Sequence, residues 1–427
     1  MLRHVVVVGA SAAGLAAVEA LRSKGYDGKL TLIGGERRPP YDRPPLSKQV
    51  LSGVWEPERV VLRDEPAIDR LDADLRLGQT AVGLDASRRT LRLAETAAGL
   101  STPKLGEAVA GLGTVQPGET AVSLDVPPVD QLGFDALVIA TGVRPRRLPG
   151  SDLAGVHTVR TLDDALALRT LLRSGPKVVV VGAGFLGSEI AAVARGMSLD
   201  VTLVDPHPAP LQRQFGARIA DLVGQTHRDH GVRLRMNTGV SRFVSSEGRV
   251  TGVELNDRTV LDADVVVVAI GSVPATEWLA DSGLAVGNGV ECDAMCQAAP
   301  GIYAAGDVAS WHNPRFDRRM RIEHRLNATE QGTAVAANLL GADRPFAPVP
   351  YFWSDQYDVR LQAYGIFPPD AEMTVVRGDL ADRRFAAAFV EQDTVVGVLG
   401  WNCPPRELRE LRQLVADGAP RPTLVGP

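Results

Sequence analysis

Two short runs of small residues, each followed by a carboxylate, are the parts of this chain best suited to chemistry. Gly9-Ala10-Ser11-Ala12-Ala13-Gly14 precedes Glu36, and Gly182-Ala183-Gly184-Phe185-Leu186-Gly187 precedes Asp205. Residues this small let a backbone come close to a pyrophosphate, and an acid about 20 residues further on can accept hydrogen bonds from a ribose. In the first run Gly9 allows the tight turn and Gly14 lets a helix pack closely. Ser11 stands at the middle position and is small enough for phosphates still to reach the backbone. The second run has all three glycines. Asp205 favours a free 2′-hydroxyl over a 2′-phosphate, and the residues after it, Pro206-His207-Pro208, bring no arginine cluster. NADH is therefore expected over NADPH.

Each run needs a strand before it and a helix after it. Val5–Val8 is a continuous β-branched stretch, as a parallel strand buried on both faces would be. A helical pattern follows through Leu15, Val18 and Leu21, and a second strand, Leu30–Ile33, leads to Glu36. Val178–Val181, a helix and Val201–Val204 repeat the arrangement ahead of Asp205. The helix N-terminus adds free N–H groups and a partial positive charge for the phosphates. Two such units call for two ligands, FAD for the first and NAD for the one in mid-chain. The expected fold class is α/β with two Rossmann-like dinucleotide-binding domains.

Composition narrows the function further. A net charge of -5 argues against nucleic acid or an anionic membrane as the main partner. No stretch is long and apolar enough to span a bilayer, the N-terminus lacks the pattern of a signal peptide, and the three cysteines cannot make a disulfide scaffold. A reduced, cytoplasmic protein is expected. Cys292 and Cys296 lie close together late in the chain, where a structural role is expected, and no cysteine precedes them. That leaves no dithiol for a disulfide reductase, and Pro44, Leu46 and Ser47 stand in the first loop where a single-cysteine oxidase would need its thiol. The seven histidines form no metal-ligand set, although His227 and His230 share a helix face.

Three further segments join the two runs. Phe134–Gly142 is a strand entering a small-residue turn (Ala140-Thr141-Gly142), Ile302–Val308 contains Gly306-Asp307, and Tyr41–Lys48 is a proline-rich loop with two cations. Together they resemble the two-dinucleotide-fold flavoprotein reductases. With Arg321–Ala328 and Tyr351–Tyr357 added, the chain is similar over nearly its whole length to the FAD-dependent ferredoxin reductases of oxygenase systems. The resemblance implies that Ala12, Ala13 and Glu36 hold the adenosine and pyrophosphate half of FAD, with Val82 contributing backbone contacts to the adenine. It places Arg43 and Lys48 at the flavin, Arg146 near the pyrophosphate, Asp307 on the ribityl chain and the Arg325 backbone near the pyrimidine end. Trp353 would pack at the isoalloxazine, and Glu189 would face the nicotinamide, paired with Lys48 as the catalytic pair. Gly271, at the end of the strand that returns the chain to the FAD domain, is expected among the cofactor-binding residues.

On this reading residues 1–150 form the first FAD segment, 151–273 an NAD domain, 274–345 the rest of the FAD domain and 346–427 a small α+β C-terminal domain. The C-terminal domain is expected to carry strands at Met373–Val376, Phe385–Val390 and Val395–Leu399 and a helix at Arg406–Ala416. Between Arg92 and Gln131 the chain is longer than such reductases need, and its turn residues suggest an extended hairpin or a partly mobile loop. The resemblance implies an NADH:ferredoxin oxidoreductase that feeds an oxygenase, a cytochrome monooxygenase in the first instance; the third domain shows no obvious apolar helical interface, so a monomer is expected. Arg315, Arg318, Arg319, Arg406, Arg409 and Arg412 would offer a cationic rim to an acidic ferredoxin. The same residues would serve a rubredoxin or nitrite-pathway reductase. An apoptosis-inducing-factor-like flavoprotein, acting through complex formation, would share the fold.

Overall fold

A computed structural model describes residues 2–96 and 130–421. The expected hairpin or loop between Arg92 and Gln131 falls on residues 97–129, outside the described residues; the strands flanking it, Thr90–Glu95 and Asp130–Gly133, pair antiparallel.

The valine run His4–Val8 forms the middle of a six-stranded sheet. It pairs in parallel with Lys29–Gly34 on one side and Ala136–Ile139 on the other. Val5, Val6 and Val7 are fully buried, as expected of a strand covered on both faces. One covering helix, Ala12–Ser23, follows the first glycine run directly. A second, Arg325–Leu339, lies against it so closely that a Cβ at Gly332 would come within 2.2 Å of the Ala13 carbonyl oxygen. A segment about 300 residues downstream is thus fastened onto the first nucleotide helix.

A second sheet of five parallel strands is centred on Lys177–Val181, flanked by Asp200–Asp205 and Val265–Val268. Its nucleotide helix is Phe185–Gly196. The chain leaves the first sheet through Val143–Pro145 and returns through Ser272–Pro274, and these two segments pair antiparallel with each other. An antiparallel meander, Val240–Ser246, Arg249–Leu255 and Val260–Asp262, is attached to this half. Helix Leu162–Leu172 opens with a capping box in which Thr161 and Asp164 satisfy each other's backbone N–H groups.

The C-terminal unit is a five-stranded antiparallel sheet closed by helix Pro405–Ala416, which buries Leu408, Leu411 and Val415. The three expected strands are present as Glu372–Asp379, Arg384–Glu391 and Thr394–Trp401. Two more, Tyr351–Gln356 and Val359–Gly365, precede them. Their sequence conceals them because Ser354, Gln356 and Gln362 are buried polar residues where an apolar alternation would be expected. No described helix is long and apolar enough to cross a membrane.

Candidate functional site

Both glycine runs open onto one continuous cleft of about 2420 Å³, well above the usual range for a single small-molecule pocket. The cradles are built alike. Gly9 has φ +121° and Gly182 φ +102°, and a Cβ on either would lie 2.0 Å or 2.3 Å from the carbonyl oxygen of Ala140 or Ala269. Gly14 and Gly187 are not in the cleft wall. They sit beneath it, where a Cβ would come within 1.9 Å of the Gly9 oxygen and 1.8 Å of the Gly182 oxygen, so each fixes its helix against its turn. Ser11, Ala12 and Ala13 in the first cradle, and Gly184, Phe185 and Leu186 in the second, face the cleft. Dinucleotides fit these backbone approaches, which side chains would block.

Around the first cradle the polar groups interlock. Arg43 reaches both Ser11 Oγ and Glu36, meeting Glu36 Oε1 at 2.7 Å, and the Tyr41 hydroxyl donates to Glu36 Oε2. The Leu162 N–H donates to the Tyr41 oxygen at 2.9 Å, and burial pushes the phenol pKa up so that it stays protonated. Asp307 faces Arg160 at 3.3 Å, and burial raises its carboxyl above the ordinary range despite the guanidinium. Ala140, Thr141, Gly142, Arg146, Gly271, Gly306 and Arg325 line the same wall. Thr141 Oγ1 donates to the Ala275 carbonyl at 2.8 Å, the Arg146 N–H to the Gly271 carbonyl at 2.9 Å, and the Arg325 side chain to Asp42. Tyr41 and Arg160 carried no expectation. Their signals are indirect: Arg160 immediately precedes the Thr161–Asp164 cap, and Tyr41 opens the proline loop.

In the second cradle Asp205 is tied to its own turn. Its Oδ2 accepts the Ala183 N–H at 2.7 Å, and its Oδ1 takes the His207 N–H at 2.8 Å and the His207 imidazole at 2.7 Å. The acid therefore fastens the glycine turn to its own strand.

Between the cradles Lys48 Nζ lies 2.7 Å from Glu189 Oε2, and Ser47 Oγ donates to the same oxygen at 2.6 Å. Both charged side chains are almost fully enclosed, at 10% and 6% exposure. Across from them Phe352 packs edge-on to Phe185, with ring centroids 5.1 Å apart, and against His324 at 4.5 Å.

Two expected contacts fall elsewhere. Trp353 is not in the cleft wall; it stacks on Tyr351 at 5.9 Å, because strand alternation turns Phe352 and Ser354 inward and Trp353 away. Val82 is also outside the wall, which Thr80 and Ala81 reach instead, since the strand bulges between Ala81 and Gly83. The arginine rim is partly committed to the fold. Arg315 donates to the Ala347 and Ala416 carbonyls, Arg319 to those of Cys292 and Ser310, Arg318 pairs with Glu391 and Arg406 with Glu410. No cysteine lines the cleft, and burial pushes Cys292 up to about 12 and raises Cys296 as well. No cluster able to hold a metal ion occurs among the described residues.

Two histidines carry a stability consequence. Burial lowers His227 and His324 from 6.5 to about 4. Unfolded chains therefore bind more protons between these limits, so stability is complete above pH 6.5 and declines as pH falls toward 4, by about 3 kcal/mol for fully buried His227. Thermal melts from pH 7.5 to 4.5 should show this fall, and His227→Gln should flatten it. Equal pH slopes for the two proteins would contradict the assignment.

The family described as pyridine nucleotide-disulphide oxidoreductase matches residues 3–332, and the family described as reductase C-terminal matches residues 351–424. Rhodocoxin reductase of Rhodococcus erythropolis is 34% identical over 419 residues, covering 97% of this chain and 90% of that protein. The anthranilate 1,2-dioxygenase system ferredoxin–NAD(+) reductase component of Burkholderia cepacia is 37% identical over 418 residues, covering 97% and 94%. Among solved structures, the covalent putidaredoxin reductase–putidaredoxin complex superposes with a TM-score of 0.86 at 31% identity, covering 98% of this chain and 94% of that one.

Proposed function

This chain belongs to the pyridine nucleotide-disulphide oxidoreductase family, and from that footing we propose that it is the ferredoxin–NAD(+) reductase of an oxygenase system. It carries electrons from a reduced nicotinamide dinucleotide through FAD to an iron–sulfur protein. The observation that carries this reading is the single cleft shared by two dinucleotide cradles, with a buried Lys48–Glu189 pair between them and no thiol in its wall.

FAD, when bound, accepts hydride from the nicotinamide and releases the electrons singly to a cluster protein. The chain's own residues hold and align. Ser11, Ala12 and Ala13 offer their backbone to the FAD pyrophosphate, with Arg43 and Arg146 supplying positive charge. Glu36 addresses the adenosine ribose, and Asp307 and Arg325 the flavin half. Gly184, Phe185 and Leu186 take the second dinucleotide, and Asp205 its ribose, which favours NADH. Lys48 and Glu189 place a fixed charge pair where the two halves of the cleft meet, and Phe185, Phe352 and His324 keep water from that point.

The test begins with an absorption spectrum for bound flavin and continues with cytochrome c reduction, using NADH or NADPH and added ferredoxin. Ferredoxin-dependent turnover should exceed the ferredoxin-free rate, run faster with NADH, and fall steeply as salt rises from about 0.05 to 0.5 M if docking is through charge. Fast ferricyanide reduction with no ferredoxin-dependent turnover would sink the partner assignment while leaving the flavoenzyme intact.

A further inference from the structure

The Glu189 carboxylate is held by more than its lysine. Oε2 takes Lys48 and Ser47 from the proline loop, whereas Oε1 accepts a hydrogen bond from Ser354 Oγ at 2.7 Å, across from the C-terminal sheet. Ser354 is fully buried, Gln356 is 3% exposed and Glu189 5%. Gln356 Nε2 donates to Ser354 Oγ at 3.2 Å, and the Gln356 side chain lies beside the His227 imidazole. His227 Nδ1 meets the Tyr357 hydroxyl at 3.0 Å, and its Nε2 has no hydrogen-bond partner among the described residues.

The donor directions are constrained. A carboxylate can only accept, so the Ser354 proton points at Glu189 and the Ser354 lone pair takes the Gln356 amide N–H. The chain of donors therefore runs from the Gln356 amide through the Ser354 hydroxyl to Glu189. A one-way chain of donors ends on the anion, an arrangement in which each bond polarises the next.

We infer that Ser354 and Gln356 are positioning residues for Glu189, a polar chain through which the C-terminal unit completes the Lys48–Glu189 pair. The inference rests on the reading that this pair serves hydride transfer. Three separate segments converge on one carboxylate: the loop ending at Lys48, the helix Phe185–Gly196 and the strand Tyr351–Gln356. Among the described residues Ser354 is the donor that reaches Oε1. Without it that oxygen is buried and unpaired, and the carboxylate is free to turn away from the geometry that Lys48 requires.

Holoenzyme carrying Ser354→Ala, Ser354→Thr, Gln356→Leu or Glu189→Gln tests this with two readouts. One is the limiting rate of flavin reduction at saturating NADH. The other is the 13C resonance of the Glu189 carboxyl in oxidised, NADH-free protein labelled at glutamate Cδ, assigned by its loss in Glu189→Gln. Ser354→Ala should slow the limiting rate about tenfold and move the resonance, with NADH affinity within about twofold of wild type. Ser354→Thr should restore both, and Gln356→Leu should shift both in the same direction by less. Ser354→Ala with an unmoved resonance overturns the inference, whatever its rate, and leaves the role of the pair standing. Should that variant lose its flavin, an unmoved resonance in Gln356→Leu overturns it equally. A Glu189→Gln enzyme reduced at wild-type speed overturns both readings together.

Discussion

Gly187→Val should yield a yellow protein that NADH hardly reduces. A Cβ at this position would lie 1.8 Å from the Gly182 carbonyl oxygen and 3.4 Å from Ala269 Cβ, so helix Phe185–Gly196 must move off its turn. The backbone N–H groups meant for the second dinucleotide move with it. Losing two such donors, at about 1.5 kcal/mol each for hydrogen bonds to a charged group, corresponds to roughly 100-fold weaker NADH binding. The first cradle lies in another sheet and should keep its flavin. Gly14→Val, the matching change there, should instead give a colourless protein, because its Cβ would meet the Gly9 oxygen at 1.9 Å. Flavin content and NADH titrations of the two variants would separate the cradles. If Gly187→Val bound NADH normally, or Gly14→Val stayed yellow, the assignment of one ligand to each cradle would fail.

Removing either member of the buried charge pair should have an effect of the same order. Lys48→Ala leaves the Glu189 carboxylate enclosed with hydroxyl donors alone, Ser47 and Ser354. An uncompensated charge in that position disturbs both local stability and the field at the meeting point of the cradles. The rate of flavin reduction by NADH should fall about 100-fold in stopped flow, the usual scale for losing one fixed electrostatic group. Glu189→Gln should fall comparably. The double variant should lose much less than the product of the two, since each single change already breaks the pair. Wild-type reduction in Lys48→Ala would remove the pair from the chemistry and reduce it to a structural bridge between units.

The cradles were legible because their signals are local. A valine strand, a run of small residues, a helix and an acid follow one another within a few tens of residues, and each has one physical use. The steric logic of Gly9, Gly14, Gly182 and Gly187 reappears as carbonyl oxygens within 1.8–2.3 Å of the missing Cβ atoms. The absence of thiols from the cleft was readable in the same way, from the positions of three cysteines.

What stayed hidden depends on distant partners or on register. Ser354 lies 165 residues from Glu189, and nothing near either residue marks them as partners. Trp353 was the more conspicuous aromatic, but a strand turns alternate residues to opposite faces, and the parity was unreadable where Ser354 and Gln356 are buried polar residues. Arg160 meets Asp307 across 147 residues, and no local pattern marks it. Asp205 was placed correctly at the end of its strand, but its hold on Ala183 and His207 depends on how the turn folds back, which spacing does not specify.

The two crossing segments, Val143–Pro145 and Ser272–Pro274, leave and re-enter the first sheet as paired neighbours. Antiparallel partners stand about 5 Å apart, so the chain enters and leaves the second half at a single narrow point. What fixes its orientation is therefore side-chain packing and not the covalent connection: Lys48–Glu189, Ser354–Glu189 and Phe185–Phe352 all cross the boundary, so a transplant of different nucleotide preference must keep those partners as well as the two splice points.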